Sequence, residues 1–415
     1  MVALSLDEQV ALLMQGTEYG DQNLQRAMAS ELRQRLDAAQ HEGRPLRVYC
    51  GFDPRTSDLH LGHTIPMRKM RQFQELGHEV IMVIGRFTSL IGDPSDKDQL
   101  RPQLTPEETR QNAETYAQQA FKILDPATTR IEYNDAWLSK LTFQDLIHLA
   151  SNFTIQQFLT RENFRKRWEE GDAIYLHETF YAIMQGYDAY TLKADVQIGG
   201  TDQLFNIITA ARKLMEMLGE PPNIGVIMGI LPGTDGVIRM SKSLGNHIPL
   251  NASPEDMYGK VMSLPDSAMG AYFRLITRWS PRHINDIESG MKAGTLHPKD
   301  VKMMLAREIV AIYHSEAQAG EAETAFRRVF QQQEQPAQML EWETRSGMAL
   351  IDVMLAAGLA SSRSEARRLI DQRGVRLDER VVEDVQQSID ALPAVLQVGK
   401  LHYLRLVSFT GQPCA

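Results

Sequence analysis

The sequence predicts an α/β protein built on a parallel sheet, and three observations carry that prediction. The apolar run Leu46, Val48, Tyr49 and Cys50 is followed by Ile65, Met70, Phe73 and Leu76 at roughly helical spacing. Gly77 ends that pattern, and Val80 to Ile84 is a second strand-length run closed by Gly85. Strand, crossover helix and strand make a parallel pair. A second such unit begins at Val196, where a strand enters the turn Gly199-Gly200-Thr201-Asp202-Gln203 and a helix is expected from about Leu204 to Met217. Polar residues gather where the first strand ends, from Asp53 to His63, which is where ligands of such sheets sit.

The 415 residues exceed one ordinary domain, and 43% apolar content is ample for cores. Forty-four basic against 53 acidic residues give a net charge of −9, which excludes a chain coated in basic charge. It leaves room for a local nucleic-acid surface, because binding depends on where lysines and arginines cluster. Cys50 and Cys414 make neither a disulfide framework nor a zinc site, which suits a reducing compartment. Met1 to Gly16 carries Asp7 and Glu8 but no Lys or Arg, so neither a secretory signal nor a transit peptide is expected. No apolar run approaches the ~20 residues of a membrane span. The expectation is a soluble, cytoplasmic protein without membrane contact.

Leu4–Met14 and Leu24–Ala39 read as helices packed outside the strand pair, joined by the turn-rich stretch from Gly16 to Asn23. The first strand is expected to break at Gly51 and Pro54. Ser89 to Lys97 is a loop punctuated by Gly92 and Pro94 around Asp93. Thr105 to Leu124 reads as a helix, with Thr105 as N-cap, Pro106 first and Glu108 three residues on. Asp135 to Phe164 is mixed but largely helical, with Phe153, Ile155, Phe158 and Leu159 supplying apolar surface. Between Tyr175 and Tyr190, Phe180, Ile183, Met184 and Tyr187 can line one helix face. Tyr181, Gln185 and Asp188 share another stripe. After the apolar run Ile227–Leu231 and the turn Pro232–Gly236 comes Arg239-Met240-Ser241-Lys242-Ser243-Leu244-Gly245-Asn246. Ser253 to about Val329 is helical throughout, and Gln331 to Pro336 is a polar break. In the tail, Leu350–Ala357 is a helix closed by Gly358, and Ser362 with Glu365 caps another that ends before Gly374. Val375–Leu377 and Val381-Val382 flank the turn Asp378-Glu379, and Val395 to Val407 adds further strand.

Several side chains have two readings at this stage. His60 and His63, either side of Gly62, can donate to phosphate oxygens or be surface histidines at a helix start. No third ligand follows at metal spacing, so no protein-bound metal is expected. Lys242 between two serines suits a mobile cationic loop over a leaving pyrophosphate, or a solvated loop. No Gly-x-x-x-x-Gly-Lys-Ser/Thr is present, which excludes a P-loop. Tyr181, Gln185, Asp188 and Asp93 can be structural polar groups or the wall of a pocket. Nothing in spacing separates Tyr116 and Tyr133 from packing aromatics. Arg363, Arg367, Arg368 and Arg373, with Arg376 extending the edge, form a basic face interleaved with Glu365, Asp371, Asp378 and Glu379. That face reads as an RNA-phosphate surface or as solvated charge.

The order of these signals resembles a known family. His-Leu-Gly-His at 60–63 and Arg-Met-Ser-Lys-Ser at 239–243 resemble the two signatures of class I aminoacyl-tRNA synthetases. Tyr-Cys-Gly-Phe-Asp-Pro (49–54), Ile-Gly-Asp-Pro-Ser (91–95), Tyr-Ala-Ile-Met-Gln-Gly-Tyr-Asp (181–188) and Gln-Ile-Gly-Gly-Thr-Asp-Gln (197–203) look like the bacterial tyrosyl-tRNA synthetases. The tail from about Gly347 resembles an S4 RNA-binding module. Leu61 stands for the commoner Ile and Arg239 for Lys, and the Met-Ser-Lys-Ser form is similar to the second bacterial subgroup.

The resemblance implies a Rossmann-like catalytic domain over 1–237 with a connective insertion at about 130–185. A helical, anticodon-recognising domain over 238–333, a linker over 334–346 and an S4-like α+β domain over 347–415 would follow. It implies activation of L-tyrosine by ATP·Mg²⁺ and transfer to the terminal adenosine of tRNA(Tyr), with no editing domain. His60 and His63 would contact the ATP phosphates, and Lys242 with Arg239 would clamp the leaving pyrophosphate. ATP contacts are further implied at Cys50, Gly51, Asp53, Gly62, Gly200, Asp202, Gln203, Met240, Ser241 and Ser243. Asp93, Tyr181 and Gln185 would bind the tyrosine ammonium, Tyr49 with Asp188 would bond its phenol, and Gln203 would also contact tyrosine. Arg363, Arg367, Arg368 and Arg373 would meet RNA. A homodimer is implied, with Phe153–Leu159 as part of the contact. The alternatives are a tryptophanyl-type ligase and a non-catalytic RNA-binding paralogue.

Overall fold

The structure is a computed structural model that describes residues 4–54, 59–95, 112, 115–331, 339–360, 362–399 and 402–408. It divides into two compact units, Met1–Gly320 and Glu321–Ala415.

The first unit opens with α1 (Leu6–Leu13), whose N-cap Ser5 exchanges hydrogen bonds with Glu8, and α2 (Gln22–Glu42), capped by Asp21. The strands β1 (Arg47–Phe52), β2 (Glu79–Ile84), β3 (Thr129–Tyr133), β4 (Val196–Gly200) and β5 (Ile224–Met228) form one sheet in the order β3-β2-β1-β4-β5. Every pairing is parallel. Helices cover both faces of such a sheet, which is why Val80 to Ile84 and the whole of β5 are buried. The crossover α3 (Thr64–Glu75) links β1 to β2 and carries α1 against it. Lys69 fixes that contact: its buried ammonium donates to Leu12 O and Gln15 O, both at 3.0 Å, and burial pushes its pKa down to about 7. α2 packs along β5, at the far edge from the first strand pair. Asp195, just before β4, accepts from Arg35, Arg44 and the Arg47 N–H and so ties α2 to β1 and β4.

Several expectations are corrected here. β1 does not break at Gly51: Gly51 pairs with Val83 and Phe52 with Ile84, because glycine keeps both backbone groups the ladder needs. β3 was not expected at all. Thr129-Arg130-Ile131-Glu132-Tyr133 lies at the sheet edge, half-buried, without the continuous apolar run that marks β2 and β5. The helix expected from Leu204 begins instead as a π-helix, Phe205–Ala211, before α-helical Arg212–Met217. The helix expected over Thr105–Leu124 lies partly outside the described residues, and 115–120 is helical.

Between β3 and β4 the chain is helical, as expected, through α4 (Phe143–Ala150), α5 (Glu162–Glu170) and α6 (Leu176–Leu192). Phe158 is buried with Phe164, Ile183 and Leu214, Phe153 and Leu159 pack half-buried on the same cluster, and Thr154, Ile155 and Gln156 are exposed. The apolar side chains left exposed here are Phe143, Ile147, Ile155, Trp168, Tyr175 and Leu176. The helices α7 (Pro254–Met262), α8 (Met269–Ile276), α9 (Pro281–Lys292) and α10 (Pro298–Tyr313) follow. Tyr313 meets Thr64 at the start of α3 through a 2.7 Å hydroxyl contact, so these helices belong to the same unit as the sheet.

In the second unit β6 (Leu340–Thr344), β7 (Val375–Leu377), β8 (Arg380–Val381), β9 (Ala394–Val398) and β10 (His402–Ser408) order as β6-β10-β9-β7-β8. Its described helices are the part of Glu316–Gln331 from Glu321 onward, Leu350–Ala356 and Arg363–Asp371, and Ser362 accepts from the Glu365 N–H as the N-cap of the last. Asp378 and Glu379 both take positive φ, 48° and 66°, as a tight two-residue hairpin turn requires. β6 lies inside the stretch expected to be linker. Its sequence Leu-Glu-Trp-Glu-Thr gives only Trp342 to the core, too little apolar alternation to flag a strand. Residues 334–338 lie outside the described residues.

Arg167 and Glu178 join α5 to α6 through a bidentate pair at 2.7 and 2.9 Å, with both side chains only 3% exposed. Arg167→Met should leave the Glu178 carboxylate buried without its cation and destabilise the first unit by about 3–5 kcal/mol in urea unfolding. Adding Glu178→Leu should restore most of that loss; equal instability of the single and double variants would contradict this.

Candidate active site

Strand order reverses between β1 and β4, so the crevice of the first unit opens at their carboxyl ends. Two cavities of about 470 and 490 Å³ lie there, both bordered by Gly62, His63, Pro66, Gly200 and Asp202. They are two ends of one site.

The first end joins His60 and His63 to Arg239, Met240, Ser241, Lys242 and Ser243. Backbone pairing brings these distant segments together. Leu61 N–H donates to Ile248 O at 3.0 Å and Leu250 N–H to Leu59 O at 2.8 Å. Asn246 closes the intervening loop, its Oδ1 accepting from Ser241 N–H at 2.8 Å and its amide donating to Arg239 O at 3.2 Å. Met240 N–H bonds Leu231 O just past β5. The imidazoles lie 3.9 Å apart between centroids, tilted 39° to one another. His60 Nδ1 accepts from Gly62 N–H and His63 Nδ1 from His60 N–H, each at 3.2 Å. In neutral rings those bonds leave the proton on Nε2, a donor. Burial, aided by the His63, His247 and Arg239 charges, lowers the His60 pKa to about 3; burial and Arg239 lower that of His63 to about 4. Both are neutral donors at physiological pH.

Tyr49, Cys50, Gly51, Asp53, Asp93, Tyr181, Gln185, Asp188 and Gln203 gather in the second end. Asp188, 4% exposed, accepts from Trp137 Nε1 at 2.7 Å and Asn134 Nδ2 at 3.3 Å. Asn134 Nδ2 also reaches Thr88 Oγ1 at 3.1 Å, and Thr88 donates to Asp53 Oδ1 at 2.8 Å. Tyr181 completes the chain by donating to Asp53 Oδ2 at 3.0 Å. Gly85 has no side chain because a Cβ would overlap both Asp53 and Thr88. Burial pushes the Asp188 pKa up to about 7, against the pull of Trp137 and Asn134. Tyr49, fully buried, donates to Gln185 O at 3.1 Å. The Cys50 thiol is pushed up by burial and stays protonated.

A second cluster fixes Asp93. Its Oδ1 accepts from Ser95 N–H and Oγ at 2.9 and 2.6 Å, and its Oδ2 from Gln203 Nε2. Arg161 holds Ser95 Oγ at 2.6 Å and Asn163 holds Pro94 O at 2.6 Å, which clamps the loop from behind. Gln185 Oε1 accepts from Asn206 at 3.0 Å.

Sequence reasoning missed Thr88, Asn134, Trp137, Arg161 and Asn206. Asn134 and Trp137 follow β3, and a strand that goes unseen hides the residues it delivers. In the second unit Arg363 pairs with Asp352, Arg368 approaches Glu365 at 3.6 Å and Arg373 lies 3.1 Å from Glu383; Arg367 is exposed.

The model of the class I tRNA synthetases for tryptophan and tyrosine matches residues 41–331, and that of the S4 domain matches 350–391. The tyrosine–tRNA ligase of Moorella thermoacetica is 48% identical over 381 residues, covering 91% of this chain and 92% of that relative. That of Thermotoga maritima is 45% identical over 372 residues, covering 89% and 92%. Among solved structures, the tyrosyl-tRNA synthetase of Archaeoglobus fulgidus complexed with L-tyrosine aligns with a TM-score of 0.59 at 21% identity. It covers 77% of this chain and all of that one, a likeness of fold. On the strength of the family match and these close relatives, the chain belongs to the class I tRNA synthetases, in the tyrosine–tRNA ligase family.

Proposed function

We infer that this chain activates L-tyrosine with ATP and transfers it to tRNA(Tyr). The observation that carries the reading is one continuous site: a cationic, imidazole-lined end meets an acidic end with a buried aspartate. In the first step a tyrosine carboxylate oxygen attacks the α-phosphorus, the bond to the β-phosphate breaks, and pyrophosphate leaves. In the second a hydroxyl of the tRNA terminal adenosine attacks the carbonyl carbon and AMP leaves. The substrate carboxylate is already the nucleophile, so activation needs positioning and charge stabilisation and no covalent enzyme intermediate.

The roles assigned to the side chains follow from donor and acceptor chemistry. His60 and His63 offer neutral Nε2–H donors to phosphate oxygens, and Lys242 with Arg239 neutralises the departing pyrophosphate. Magnesium enters as the ATP salt. Asp202, Gly200 and Gln203 stand where the two ends meet and suit the ribose and adenylate, with Cys50, Gly51, Asp53 and Gly62 beside them. Tyr181 spends its proton on Asp53 and Gln185 accepts through Oε1, so both turn acceptor oxygens, with Asp93, to an ammonium group. The phenol end sharpens one expectation. Asp188 already accepts two hydrogen bonds, so phenylalanine would not leave a bare carboxylate. Selectivity then rests on the third bond, from substrate phenol to Asp188, and on the Tyr49 oxygen beside it.

The helices after 238 suit anticodon recognition, and the second unit suits RNA-phosphate contact through Arg367 and its neighbours. Ile155, inside the stretch Phe153–Leu159, is exposed, as are Phe143, Ile147, Trp168, Tyr175 and Leu176, and these apolar side chains support a homodimer contact that includes that stretch. Among the described residues no helix is long and apolar enough to cross a membrane, and a cytoplasmic location fits the work of translation.

Tyrosine-dependent ATP–pyrophosphate exchange tests the reading. Exchange with tyrosine is expected, and Lys242→Ala should lower kcat about 100-fold with the tyrosine KM unchanged. Exchange with tryptophan alone would overturn it in favour of the tryptophanyl ligase, and exchange with neither would favour an RNA-binding paralogue.

The histidines also predict a pH dependence of stability. Their folded pKa values, about 3 and about 4, lie below the usual histidine value, so between about pH 4 and 6.5 the unfolded chain binds two more protons there. That contribution is full above about pH 6.5 and lost as pH falls. Asp188, raised to about 7, works the other way, because the folded state holds its proton over the same window. Urea midpoints of the wild type should therefore fall faster on acidification than those of the His60→Asn/His63→Asn variant. Parallel curves would contradict the burial argument.

A further inference from the structure

Tyr116 lies in the helical stretch 115–120, is 5% exposed, and sets its ring against Phe52 of β1 at 5.4 Å. It lines the same cavity as Cys50 and Asp53. Its hydroxyl makes no hydrogen bond to any described residue. A phenol in such a place normally finds a partner, so one at a cavity wall with none among the described residues points to a ligand. The neighbouring protein groups are already engaged. Asp53 accepts from Thr88 at one oxygen and from Tyr181 at the other, and the Cys50 thiol leans on Gly51 O at 3.7 Å. Burial, with Cys50 and Asp53 close by, raises the Tyr116 pKa and keeps the proton on.

Position along the strand separates the two ends of the ligand. Residues alternate across a sheet, so Cys50 and Phe52 share one face of β1 and Tyr49 takes the other. Tyr49 packs with Ala189 and Leu192 of α6, the helix that carries Asp188. Tyr116 therefore stands with Cys50, away from the amino-acid phenol.

We propose that the Tyr116 hydroxyl is a nucleotide contact, donating to an oxygen of the ribose–α-phosphate portion of ATP as it lies over Cys50 and Asp53. The proposal rests on the ATP-dependent reading of the site and adds to it a donor no signature motif contains. Phenylalanine keeps the ring and its packing and removes only the donor.

Two measurements on the full chain test it. Tyr116→Phe should lower kcat/KM for ATP in pyrophosphate exchange by about 10-fold, with the tyrosine KM within about twofold of wild type. It should also weaken equilibrium binding of a non-hydrolysable ATP analogue by about the same factor with no amino acid present. Unchanged ATP parameters, or a loss confined to the tyrosine KM, would overturn the proposal. If the wild type bound the analogue but exchanged with no amino acid, the ligase reading would fall. The contact would still stand or fall on the binding comparison.

Discussion

The site depends on one chain of hydrogen bonds that runs from Trp137 through Asp188, Asn134, Thr88 and Asp53 to Tyr181. Its six members are delivered by four elements. Asp53 follows β1, Thr88 follows β2, Asn134 and Trp137 follow β3, and Tyr181 and Asp188 come from α6. Two carboxylates drawn into one pocket, Asp188 buried and Asp53 half-buried, are costly unless their oxygens are satisfied. The chain satisfies them, and in doing so it fixes the carboxyl ends of three parallel strands relative to one helix. Gly85 is a consequence of the same packing, since no larger residue leaves room for Asp53 and Thr88 to meet.

The sheet order makes this economical in residues. With β1 at the centre, Tyr49 and Cys50 can face opposite sides of a single strand while Asp53 stands at its end. The same strand then hands over to His60 and His63, whose backbone pairs with 248–250 beyond the lysine loop. One edge of the site is thus rigid polar core, and the other is a loop tied at its base by Asn246. That division suits a reaction in which the amino acid must be held still while a charged leaving group departs.

Much of this was legible in the sequence because it lies on continuous signals. The apolar runs of β1, β2, β4 and β5, the helical spacing of α3 and the stripe Tyr181–Gln185–Asp188 all have a period that burial on one face dictates. What escaped notice lacks such a period. β3 is an edge strand rich in Thr, Arg and Glu, β6 offers one tryptophan to its core, and the π-turn at Phe205–Ala211 has the same apolar spacing as an α-helix. The partners of Asp188 were hidden for the same reason. A polar side chain shows its importance only when the element that carries it has been placed, and Asn134 and Trp137 are carried by the strand the pattern did not reveal.

The central claim is that this chain of hydrogen bonds acts as one unit across the amino-acid pocket. A double-mutant cycle joining its two ends tests that most directly. Trp137→Phe removes the donor to Asp188 and Tyr181→Phe the donor to Asp53, and kcat/KM for tyrosine in pyrophosphate exchange is measured for each and for the pair. Trp137 packs against the cluster that holds Tyr181, and both variants keep an aromatic ring there, so a coupling energy of about 1 kcal/mol or more is predicted if the hydrogen-bond chain is cooperative. Additive effects, within about 0.3 kcal/mol, would contradict it and leave Asp188 and Asp53 as independent sites.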